Sequence, residues 1–243
     1  MENQLGRFLE GHANISWLHD IQTGDYHESA KTLKVLADAE VDSLSRKKTM
    51  LSIAKLANLC ADDDKNQNDS LNTIDHEMNI ISAQEQLPRS ILEAYGFESD
   101  AMKVLSPRHL IELYISEENH GADQVDFKKA LDLLDYLPPS GGTPEQIKSD
   151  RDELKLRIWA SAVSRNDWSE MQTADPLESI KDTVFFKLAD DCYLQGLNLS
   201  TEMPKVEDLM GYESLKDCNA NVKFLIQTGY EHINRQLLNE ATN

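Results

Sequence analysis

A chain of 243 residues with 40% apolar content is long enough to bury a sizeable core, either as one large domain or as a run of stacked repeats. Acidic residues outnumber basic ones by 43 to 24, and the net charge of −19 would repel a phosphate backbone or an anionic lipid surface, so neither nucleic-acid binding nor direct membrane contact is expected. Cys60, Cys192 and Cys218 are far apart and form no CxxC pair, which fits buried thiols in a reducing compartment better than a disulfide framework. The first residues lack the apolar stretch of a signal peptide, and no run approaches the roughly 18 apolar residues of a membrane span, so a soluble intracellular protein is expected.

In chain order, Leu5, Phe8 and Leu9 form the apolar face of a short helix over 4–10. A helical stack needs a polar face on its first unit, and this beginning reads as a cut edge, so a fragment of a longer polypeptide is expected. Trp17 to Ile21 leads to a turn at Gly24-Asp25, and two helices follow, joined near Glu40 to Asp42. Asp25 is a good N-cap with Glu28 placed for a capping box, and Tyr26, Ala30, Leu33 and Leu36 or Ala37 share one face of the first helix. The second carries two neighbouring apolar stripes: Leu44, Leu51 and Ala54, then Met50, Ile53, Ala57 and Cys60. A helix apolar over so much of its girth is enclosed from two sides, by the middle of a helical stack or by another protein on one side.

The segment 61–70 is an acidic loop by composition. Counted as a calcium loop from Asp64, it has Asp69 where the turn needs glycine and Asp75 where a glutamate usually chelates, so it reads as a solvated loop. A helix then runs from about Ser70 to Gln86, and a further turn after Pro88 closes at Gly96. Ser106-Pro107 opens a helix with Leu110, Ile111, Tyr114 and Ile115 inward, broken by His120-Gly121. Asp123 caps the next, where Phe127, Leu131 and Leu134 adjoin a second face of Ala130, Leu133 and Leu137. The clearest linker is 137–142, and any division into two lobes of this single helical domain is expected near 138–143. Thr143, Pro144 and Gln146 signal a capped start for a helix with Leu154, Ile158, Trp159 and Ala162 inward. Asp175-Pro176-Leu177-Glu178 repeats that grammar and predicts one helix carrying Ile180, Val184, Phe185, Leu188 and Cys192 toward Gly196. Short helices near 206–210 and 213–216 and a last one over about 222–238 complete the chain.

No segment alternates apolar and polar residues for long, and β-branched residues do not cluster, so the predicted fold is all-α: an irregular α-helical stack of solenoid-like helix pairs without a β-sheet. No catalytic, cofactor or metal site is expected. His76-Glu77 starts like a zinc-protease helix but meets Ile80 where a second histidine is required, and His19 and Asp20, adjacent on a helix, diverge by about 100 degrees. No phosphate-binding glycine motif and no Gly-x-Ser-x-Gly occurs. One charge feature is unusual: Arg46-Lys47-Lys48 stands at the front of the helix with two apolar faces. Such a run is commonly a solvated face; beside an exposed apolar stripe it could edge a binding surface for an acidic partner helix.

Several stretches together resemble a known family. Trp17-Leu18-His19-Asp20-Ile21, Thr32-Leu33 with Leu36-Ala37, Lys47-Lys48-Thr49 with Leu51-Ser52 and Lys55-Leu56, Leu113 to Asn119, Asp126-Phe127-Lys128-Lys129-Ala130-Leu131-Asp132-Leu133-Leu134, Asp167-Trp168, Asp175-Pro176 and Lys181-Asp182 are similar to the C-terminal α-helical domain of the nucleoporin 133 family. The resemblance implies a non-enzymatic scaffold part of the nuclear pore complex at the nuclear envelope. In the Y-shaped subcomplex it would dock onto the C-terminal domain of nucleoporin 107 and support pore assembly, mRNA export and nucleocytoplasmic transport. Membrane sensing, a property of the family's β-propeller, is not carried over. The resemblance places the contact on the two early helices, with Leu33, Lys34, Ala37, Leu44, Lys47, Lys48 and Leu51 as the expected partner-binding residues. The competing reading is a helical adaptor or ligand-binding domain with an unrecognised pocket.

Overall fold

The structure is a computed structural model that describes residues 12–61, 67–97, 102–138, 143–166, 168, 175–215 and 220–240. The expected helix over 4–10, Cys218 and residues 62–66 of the acidic loop lie outside the described residues. Regular structure is entirely helical among the described residues, as the periodicity predicts. The chain divides into two compact units, Met1–Ser106 and Pro107–Asn243. The division therefore falls at Ser106-Pro107, and the segment 138–143, expected as the lobe junction, lies inside the second unit. Proline and glycine mark where a helix must stop, which need not be where packing stops.

In the first unit α1 (Ala13–Thr23), α2 (Tyr26–Ala39), α3 (Leu44–Cys60) and α4 (Gln67–Glu85) each pack on the next, followed by the short α5 (Arg89–Tyr95). Helix α4 begins at Gln67, inside the stretch expected as loop. Gly24, with φ of 83°, ends α1 in the left-handed conformation that a residue without Cβ adopts freely. Asp25 then caps α2 by accepting from the Glu28 amide at 3.3 Å, while the Glu28 carboxylate pairs with Lys31 rather than reaching back to close a capping box. Glu40 builds the corner between α2 and α3: its Oε1 accepts from the amides of Asp42 and Ser43, both at 3.1 Å. An extended strap at 102–105 runs beside that corner, donating from Val104 to the Val41 carbonyl and accepting from the Leu44 amide at Met102. The buried Gln84 side chain holds the strap's other edge, donating to the Lys103 carbonyl at 2.6 Å and accepting from the Leu105 amide at 2.9 Å. One side-chain amide thus satisfies two backbone groups that burial would otherwise leave unpaired.

The second unit contains α6 (Pro107–Tyr114), α7 (Gln124–Asp132) with a 3-10 turn at Leu133–Tyr136, α8 (Pro144–Ser164), α9 (Pro176–Lys181), α10 (Val184–Leu194), α11 (Leu199–Glu202), α12 (Val206–Gly211) and α13 (Ala220–Glu240). Its core is built on Trp159, Tyr114, Phe127 and Phe185, with the predicted Leu110, Ile111, Leu154, Ile158, Leu188 and Cys192 also buried. Helix α6 ends at Tyr114, before the expected break at His120-Gly121. There the Asn119 amide donates to the Tyr114 carbonyl and to Asp126, and the Arg165 guanidinium donates to the carbonyls of Ile115 and Ser116. The predicted capping box of α8 is present, with reciprocal bonds between Thr143 and Gln146.

The single helix expected after Asp175 is two. Thr183, fully buried, accepts from the Phe186 amide and donates to the Ile180 carbonyl at 2.6 Å, so it closes α9 and caps α10 at once. Helix α13 approaches α9 at Gly229, where a Cβ would stand 2.8 Å from Ile180 Cδ1, so a larger residue there would require the Ile180 side chain to shift. Burial pushes the Cys192 thiol up to about 11, whereas Cys60 is exposed at the end of α3.

Candidate functional site

Helices α2 and α3, expected to carry the partner contact, are where exposure and charge have to be read residue by residue. Leu33, Ala37, Leu44 and Leu51 are not surface residues: together with Ala54, Ile74, Ile81 and Met102 they make the core of the first unit, and Leu51 is 0% exposed. All four therefore face the interior of this unit and not its exposed surface. Helix α3 is apolar on two sides because α2 packs on one and α4 on another, the enclosure that the sequence left open as an alternative. Met50 and Ile53, from its second stripe, pack against the same core, and Ala57 is buried.

The lysines separate into two groups. Lys34 and Lys47 turn inward: Lys34 lies 2.5 Å from both Asp38 and Glu77, and Lys47 lies 2.9 Å from Glu77 Oε2. Their side chains are mostly covered, so one carboxylate on α4 ties α2 to α3. Burial alone would raise the Glu77 carboxyl, but its bonds to Lys34 and Lys47 hold it below the ordinary carboxylate range. This contribution is present at neutral pH and is lost as the pH falls through the lowered value. Lys48, in contrast, is 44% exposed and pairs with Glu85, 2.7 and 2.9 Å from its two oxygens.

What α3 does present to solvent overlaps the second predicted stripe at Ile53 and Cys60 and extends to Leu56 and Leu59, which neither stripe included. Leu56 and Leu59 are 63% and 57% exposed, and Cys60 is exposed beside them. Helical spacing sorts the outer face into two adjacent rows. One is Thr49, Ile53, Leu56 and Cys60; the other, toward α4, is Lys48, Ser52, Lys55 and Leu59. Lys55 reaches across to Asp75 at 2.5 Å, and Asn58 donates to Ser70 at 2.7 Å.

Between Leu44 and Cys60 the helix carries Arg46, Lys47, Lys48 and Lys55 and no acid, in a chain of net charge −19. Three of those cations occupy its N-terminal end, where the helix dipole disfavours them. Glu40 offsets one by pairing with Arg46 at 3.3 Å. The dipole cost sits at the N-terminal end of α3 and the exposed Leu56 and Leu59 near its C-terminal end, with Lys55 as the cation adjoining the leucines. Other exposed apolar side chains of this unit, such as Val35 on α2, lack such a concentration of cations on their own helix.

Among the described residues, no group of three or more His, Cys, Asp or Glu side chains could hold a metal ion, and no helix is long and apolar enough to cross a membrane. A depression lined by Lys181, Phe186, Lys187, Asp190 and His232 is open to solvent. The outer face of α3 thus combines an apolar row with a neighbouring row that carries Lys48 and Lys55.

The chain belongs to the nucleoporin C-terminal family described as non-repetitive/WGA-negative, which it matches over residues 2–120, a stretch that includes α3. It is similar to the nuclear pore complex protein Nup133 of Danio rerio, with 37% identity over 94% of the chain. The Homo sapiens and Drosophila melanogaster Nup133 proteins are 34% and 30% identical over 94% and 96% of it. The chain spans about a fifth of the length of these relatives, 20%, 20% and 18% in turn. The family is a structural one, made up of nucleoporins and not of enzymes.

Proposed function

We propose that this chain is a scaffold module of the nuclear pore complex at the nuclear envelope. It docks through the outer face of α3 onto the C-terminal domain of nucleoporin 107 within the Y-shaped subcomplex, and so supports pore assembly, mRNA export and nucleocytoplasmic transport. The observation that carries this reading is the coincidence of exposed Leu56 and Leu59 with the solvent-accessible Lys48 and Lys55 on one helix that contributes no acid of its own. Apolar anchors supply affinity, while the cations orient a partner helix that presents acidic residues. Similarity to Nup133 proteins over 94% of the chain supports the choice of assembly, and the resemblance of Lys47-Lys48-Thr49, Leu51-Ser52 and Lys55-Leu56 to the nucleoporin 133 family supports the choice of helix. Of the residues first expected at the contact, Lys48 stays on the docking surface. Lys34 and Lys47 help position α3 through Glu77, and Leu33, Ala37, Leu44 and Leu51 support it from within.

The test is direct. The purified chain and the C-terminal domain of nucleoporin 107 are mixed and run on a sizing column. They are expected to elute together ahead of either alone; independent elution at micromolar concentrations would refute this reading.

A further inference from the structure

The cations on the outer row of α3 are already engaged. Lys55 holds Asp75 at 2.5 Å and Lys48 holds both oxygens of Glu85, and all four side chains are between 39% and 47% exposed. The inner cluster is different: Lys34, Lys47 and Glu77 have side chains only 13% to 19% exposed. Exchanging partners in the inner cluster would require opening the packing of three helices. In the outer pairs it requires only rotation of solvated side chains, whose mutual attraction is weak in water.

We propose that Asp75 and Glu85 of α4 are internal competitors for the docking surface, occupying in the free protein the two cations that an acidic partner helix takes when bound. The inference rests on the docking reading above and adds its specificity. Lys48 and Lys55 are seven residues apart on one helix, two turns, and therefore about 10.5 Å apart along the axis. The matching partner is an amphipathic helix with carboxylates about two turns apart on one side of an apolar row. That row packs on Ile53, Leu56 and Leu59, and the carboxylates displace Asp75 and Glu85. A helix without them leaves the internal pairs closed and gains only apolar contact. Discrimination comes from the difference between two sets of ion pairs, while the free protein is spared an uncompensated basic face.

The experiment measures binding of the 243-residue chain to the nucleoporin 107 C-terminal domain across a series of salt concentrations, with Asp75→Asn/Glu85→Gln, Lys48→Gln/Lys55→Gln, the four-site combination and Leu56→Glu. Removing the competitors is expected to tighten binding about threefold to tenfold at low salt and to steepen its salt dependence. Removing the lysines as well is expected to abolish that gain. Unchanged or weaker binding by the Asp75→Asn/Glu85→Gln chain, with its thermal midpoint near that of the parent, overturns the competitor proposal. If the parent binds and Leu56→Glu does not, the docking reading stands even then. If the parent fails to bind, or Leu56→Glu binds as well as the parent, the docking reading falls and this inference with it.

Discussion

Leu56→Glu is expected to weaken docking on nucleoporin 107 by at least about a hundredfold, the loss of one well-packed anchor of about 3 kcal/mol, while leaving the helical content and thermal midpoint of the chain nearly unchanged. Both halves of that result follow from exposure. With 63% of Leu56 facing solvent, the folded monomer loses little when it is replaced, and glutamate is close to leucine in helix propensity. In the complex the new carboxylate would replace the central apolar contact and face a partner selected for its own negative charge. Titration calorimetry with circular dichroism on the same samples checks both. A variant that stays folded and binds normally would remove the outer face of α3 from consideration.

Leu51→Glu should do the reverse. Leu51 is 0% exposed at the centre of the first unit, among Leu33, Ala54 and Ile74. Truncating a leucine in such a place costs about 2–5 kcal/mol through lost transfer energy and the cavity left behind. A buried carboxylate with no partner costs more, enough to unfold a marginally stable unit. The expected result is a large fall in helical signal with loss of binding as a consequence. Leu51→Ala provides the control, since it should lower the denaturation midpoint yet bind normally while folded. If Leu51→Glu abolished binding with the fold intact, Leu51 would be a contact after all.

These two leucines, five residues apart on one helix, show how far sequence reasoning reaches. Periodicity identifies α3 as apolar on two sides, and caps such as Asp25, Asp123, Thr143 and Asp175 place helix starts where they are found. Which side is sealed depends on neighbours remote in sequence. Ile74 and Ile81 of α4, and Met102 of the strap, close over the stripe of Leu44, Leu51 and Ala54. No local pattern in α3 announces them. The cations have the same ambiguity, because whether a lysine in Arg46-Lys47-Lys48 reaches solvent is decided by where Glu77 and Glu85 fall along α4. One signal could have been found: Thr49, Ile53, Leu56 and Cys60 form their own helical row beside Lys55. Thr183 is a residue type that caps helices, and its place between Ile180 and Phe186 is where the one predicted helix divides into two. The unit boundary at Ser106-Pro107 reads locally as another helix start, since only the distribution of long-range packing separates it from Thr143-Pro144.

Cys60 permits the most direct test, because its exposed thiol lies on the docking row one turn beyond Leu56, while Cys192 is buried with a thiol pushed up to about 11. The alkylation rate of Cys60 by iodoacetamide is measured with and without a saturating amount of the nucleoporin 107 C-terminal domain, with peptide mass analysis assigning the modified residue. The account predicts that the bound partner slows modification of Cys60 at least about tenfold, while Cys192 stays unreactive in both samples. An unchanged rate at Cys60 in a chain demonstrably bound to the partner would contradict it.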